Sequence, residues 1–193
     1  MPLMLAQLLR SPLRIASAAV GAWVLAGAPL AGFTLEDLLA DGKMTPKRFA
    51  NHFADFDFEF HPEVQRPEEF IARQKGDCDD YAILGDYILK RRNYDTMLIR
   101  VVLVGNNADA HDVCYVTQVK AYLDYNLRDC FINLQRSGKR LRQIADKVAD
   151  SFDSNWTSAA IYTYNYNEDI KHMKLVVVKT DPPDQDLDAR PSP

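Results

Sequence analysis

Three residues in this chain have the types and the order that nucleophilic acyl transfer requires. Cys78 stands in "GDCDDYA", where a loop gives way to a helical pattern. A thiol attacks as its thiolate, and a helix N-terminus favours that charge through its unpaired N–H groups and its dipole. The same N–H groups can stabilise an oxyanion. A nucleophile also needs a base, and the base needs an orienting group. Of the four histidines, His52 and His61 lie upstream of the cysteine in segments of uncertain structure and His172 lies in a charged turn before the last strand. That leaves His111, which heads a strand-like run, as the candidate base. Asp124 lies in the next such run. If the two runs pair antiparallel, its carboxylate comes beside the imidazole, where it would fix the tautomer and stabilise the imidazolium. The chemistry would be attack of a thiolate on an amide carbonyl. The plainer alternative is that Cys78 is a small side chain in a core. The flanking acids Asp77, Asp79 and Asp80 also oppose a thiolate unless they face elsewhere or are neutralised.

The elements that must position these residues are legible in part. From Cys78 on, Tyr81, Ala82, Leu84, Tyr87, Ile88 and Leu89 recur at helical spacing, and Lys90, Arg91 and Arg92 close the helix at its negative end. Upstream, Thr45-Pro46 opens a short helix to about Phe53, and Arg66-Pro67-Glu68-Glu69 opens another to about Gln74. Between them "FADFDFEFHPEV" alternates Phe with acids, as an extended approach segment would. Downstream, Thr96 to Gly105 is rich in β-branched residues and of strand length, and His111 to Asn126 reads as two strands with a turn at Gln118 to Ala121. Arg140 to Ala149 has a polar helical pattern, and "AAIYTYNY" and "MKLVVVK" read as further strands. Tyr162, Tyr164 and Tyr166 alternate, either lining a cleft or sharing one face of an edge strand.

Composition bounds the rest. A chain of 193 residues that is 47% hydrophobic and 26% charged carries one ordinary domain with a single core. The net charge is −4, and its only basic clusters are short, at Lys90 to Arg92 and Lys139 to Arg142, which argues against nucleic-acid binding. Arg10 and Arg14, followed by an uncharged run from Ile15 to Leu35 with Ala26 and Ala28 near its end, match a secretory signal peptide over residues 1–32. The run is also long enough to stay in a membrane as an uncleaved anchor, which needs about 20 residues. Residues 33–180 are expected to form the domain, and the composition of the Pro- and Asp-rich 181–193 predicts a disordered tail. Three cysteines in an exported chain allow a Cys114–Cys130 disulfide with Cys78 free, or three reduced thiols.

"GDCDDYA", "AHDV" and "YLDYN" resemble the three motifs of the transglutaminase-like superfamily, in particular the bacterial transglutaminase-like cysteine proteinases with their papain-like core. The resemblance runs from about Glu68 to Asn126. It implies an α+β fold, a papain-like, transglutaminase-like core with the nucleophile at a helix N-terminus packed on an antiparallel sheet. Carried over by position, Cys78 is the nucleophile, His111 the base and Asp124 its orienter, with Asn126 as the alternative to Asp124. Val113 stands where many relatives have a tryptophan. Gln74 is the candidate side-chain amide for an oxyanion hole, the alternative being an exposed position on its own helix. Some relatives bind calcium with acids at the positions of Asp77 and Asp79. Calcium, a hard cation taking six to eight oxygens, is therefore an optional cofactor. Alternatively, Asp77 caps the helix and Asp79 and Asp80 complement its dipole. No other cofactor is expected. The implied activity is a peptidase on exported or envelope proteins, with a protein or peptide as substrate. The alternatives are transamidation by the same triad and a non-catalytic peptide-binding module of the same fold.

Overall fold

The computed structural model describes residues 32–105, 110–128 and 133–180. The leader, the tail and the Cys130 half of the expected disulfide lie outside the described residues.

Side-chain caps start the first helices. Thr34 and Asp37 close a capping box ahead of α1 (Leu35–Ala40), and Thr45, with Pro46 at the first helical position, opens α2 (Pro46–His52). A two-residue strand β1 (Asp57–Phe58) follows, then α3 (Pro67–Arg73), with two acids in its first turn. Gln74 ends α3 in the left-handed region at φ 53° and turns the chain into β2 (Lys75–Gly76), which pairs in parallel with β1. Helix α4 (Cys78–Lys90) comes next and leads to the strands β3 (Thr96–Val104), β4 (His111–Val116), β5 (Ala121–Leu123) and β6 (Leu134–Arg136). Helix α5 (Leu141–Asp150) and the hairpin of β7 (Asn155–Asn165) and β8 (Ile170–Val178) complete the described chain.

Strands β3 to β8 form one sheet in the order β6-β5-β4-β3-β7-β8, with every neighbouring pair antiparallel. Successive strand residues point to opposite faces, so the sheet separates two cores. Leu98, Cys114, Val116, Leu123 and Tyr162 face the side of α1 to α4, while Ile99, Val101, Val113, Tyr115, Tyr122 and Trp156 face α5. The single core expected from composition is thus two. On the α4 side, Phe49, Phe53, Phe56, Phe70, Tyr81 and Tyr125 pack as one aromatic cluster. Each such ring removes on the order of 150–250 Å² from water, which fixes the depth at which α4 sits.

The architecture is the expected α+β arrangement of a helix start packed on an antiparallel sheet. Three elements depart from the sequence reading, among them the two-residue β2. Helix α1 starts where the apolar run ends and is only six residues long, and β6 is too short and polar to signal itself. The tyrosine-bearing strand β7 lies between β3 and β8, so it is not an edge strand; the edges are β6 and β8.

Candidate active site

Cys78 is the first residue of α4, and the sequence around it builds a helix start. Asp77 is the N-cap, its side chain accepting from the Asp79 N–H, while the Asp80 carboxylate accepts from the Asp77 N–H at 3.1 Å. Gln65 pins this turn from outside, donating to Asp80 from its backbone N at 2.6 Å and from Nε2 at 2.7 Å. Gly76, just before the turn, touches the space of Phe70 and Asp80 so closely that a Cβ would lie 2.6 Å from both.

The β4–β5 pairing brings the other two residues in. His111 begins β4, and Asp124 follows β5 directly. His111 Nε2 lies 2.8 Å from Asp124 Oδ1, and the two residues are only 3% and 1% exposed. That bond leaves Nδ1 available to the thiol, and each of the two groups shifts the pKa of the other. The Phe152 ring meets the imidazole edge to face at 4.8 Å. Asn126 donates its backbone N–H to the same Asp124 oxygen at 3.0 Å, so Asp124, and not Asn126, orients the histidine. Burial alone would lower the pKa of His111, but the Asp124 charge and hydrogen bond and the thiol outweigh it and hold it well above the ordinary value. Burial raises the Cys78 thiol pKa, against the opposing pull of His111.

With Asp124 buried behind the imidazole, Cys78 and His111 open onto a cleft of about 820 Å³. Phe58 and Phe60 form part of its wall and are 58% and 73% exposed. Their segment is held by the Asp57 and Glu59 N–H bonds to Gln74 O and Gly76 O, and by Tyr125 Oη, which donates to Asp57 O at 2.7 Å. His61 lines the cleft and its N–H donates to Asp77 Oδ2. Gln74 does not line it. Its residue is exposed because it serves as the left-handed stop of α3, so the expected oxyanion-hole role does not follow from its position.

Asp77, Asp79 and Asp80 have ligand-type oxygens within 4.8 Å of one another. Their bonding nevertheless does not fit a calcium cage. Asp80 accepts from Gln65 and Asp77 N–H groups, and Asp77 accepts from His61 and Asp79 N–H groups. Asp79 Oδ2 accepts from Lys171 Nζ at 2.6 Å. Burial, followed by the Asp79 hydrogen bond and the neighbouring carboxylates, pushes the Asp77 pKa up to about 8. Lys171, Gln65 and Asp112 gave no signal in the sequence, since each acts only through contacts far along the chain.

Residues 41–128 match a family model described as a transglutaminase-like domain. This segment holds Cys78, His111 and Asp124 and ends before β6. The match supports membership of the transglutaminase-like superfamily. No curated protein matches it.

Proposed function

We propose that the protein is an exported cysteine peptidase that hydrolyses amide bonds of protein or peptide substrates through a thioester. The observation that carries this reading is the buried 2.8 Å bond between His111 and Asp124, with the second imidazole nitrogen turned to a thiol at a helix start. In this mechanism the Cys78 proton passes to His111 and the thiolate sulfur attacks the amide carbon. The backbone N–H of Cys78, which has no acceptor within its helix, is placed to receive the oxyanion. Collapse of the tetrahedral species breaks the C–N bond, and the imidazolium gives its proton to the leaving amine. Water then attacks the thioester while His111 takes its proton, and the released thiolate recovers that proton. Asp124 stabilises the imidazolium in both halves. No step requires a metal. Export is proposed from Arg10, Arg14 and the apolar run that follows them.

The test is turnover of a peptide library by the protein and by Cys78→Ala. The expected outcome is cleavage by the first only, with equal melting temperatures, because exchanging a thiol for a hydrogen at a helix start changes little packing. Products carrying an added amine instead of a free carboxylate would identify transamidation. Equal cleavage by Cys78→Ala would end the thiol reading, and no reaction by either, with ordinary thiol reactivity, would leave a binding module.

A further inference from the structure

Lys171 lies on β8, well past the matched domain segment, and faces the α4 side of the sheet. Its Nζ donates to Asp79 Oδ2 at 2.6 Å and to Asp112 Oδ2 at 2.8 Å. The Nζ also sits 5.7 Å from the centre of the Tyr162 ring. Asp79 belongs to the first turn of α4 and Asp112 to the first residues of β4, so the two carboxylates come from the two elements that carry Cys78 and His111. Asp112 is 1% exposed, and Arg100 also donates to its Oδ2 at 2.8 Å. The second oxygen of each acid, Asp79 Oδ1 and Asp112 Oδ1, is buried without a hydrogen-bond partner. Two like charges aimed at one buried point need a cation between them. Burial opposes the charge on Lys171, but Asp112 and Asp79 outweigh it and hold the ammonium pKa above its ordinary value.

We propose that Lys171 is the resident cation of this site, held where a divalent ion would otherwise bridge Asp79 and Asp112, and that it positions the start of α4 against β4 without metal. An ammonium is a compact charge with three donors. It satisfies one oxygen of each acid and leaves the other two as the sockets a metal would use once the lysine is gone. The inference concerns the assembly of the site and stands whether or not the thiol cleaves amides.

Calcium titration by calorimetry, together with melting in calcium or chelator, tests it on the full chain. The unaltered protein is expected to bind no calcium and to melt at the same temperature in both. Lys171→Met should melt lower by roughly 5 °C, bind about one calcium and recover with calcium but not magnesium, and adding Asp79→Asn should remove that binding. Lys171→Arg should behave as the unaltered protein. Stoichiometric calcium binding by the unaltered protein that Asp79→Asn abolishes would overturn the proposal. So would a Lys171→Met protein that is blind to calcium, whether or not its melting temperature falls, because the lysine would then be packing alone. If Lys171→Met does not fold, the calcium response of the unaltered protein and the melting of Lys171→Arg decide.

Discussion

His111 sits in surroundings that would strip its proton, and Asp124 reverses that. With the carboxylate removed and the imidazole still buried, burial favours the neutral ring and only the Cys78 thiol still favours the charged one. The raised pKa means that the imidazolium persists to higher pH than in a free histidine. Asp124→Asn should therefore move loss of the imidazolium to lower pH. Measured as the rate of Cys78 alkylation by iodoacetamide against pH, the limb that reports this loss should shift in the acid direction, and turnover should fall on the order of 10²-fold or more. An unchanged profile would show that Asp124 does not set the charge of the base. At this scale Cys78, His111 and Asp124 were readable because each falls in a short motif whose local structure is also readable. Lys171 was not, since a single lysine in a strand carries no mark of the acids it meets across 92 positions of chain. Gln65 was missed for the same reason, and the pull of Gln74 came from its nearness in sequence to a thiol from which α3 turns it away.

The start of α4 depends on close contact between elements more than on helix propensity. Gly76 has ordinary backbone angles but no room for a side chain, with Phe70 and the Asp80 carboxylate at 2.6 Å from any added Cβ. Phe70 is one of the buried rings of the aromatic cluster and has nowhere to go. Gly76→Ala should cost about 1–3 kcal/mol by overpacking and displace the capped turn, so that turnover falls further than stability predicts. Urea denaturation beside turnover measures both, and a fully active, equally stable variant would mean that the turn accommodates the change. The helices with caps or proline starts, and the long β-branched strand, were legible because their signals are local. The division of apolar residues between two faces was not, because the register that decides it is set by pairing between strands.

For the molecule as a whole, the proposed export makes a statement about where the chain begins its mature life. Protein recovered from the envelope should start between Pro29 and Thr34 by N-terminal sequencing, whereas an intact Met1 or Pro2 in the membrane fraction would show an uncleaved anchor. The sheet that carries the site also divides the optical properties of the domain. Trp156 is the only tryptophan among the described residues, and its indole donates to Asp146 on α5. Tyr81 and Tyr125, with the phenylalanine cluster, lie across the sheet beneath the thiol. Tryptophan emission therefore watches the face that holds no nucleophile. A loosening confined to the α4 side, around the start of the helix that carries Cys78, would leave the Trp156 emission unchanged and register only in the near-ultraviolet dichroism of the tyrosines on that side.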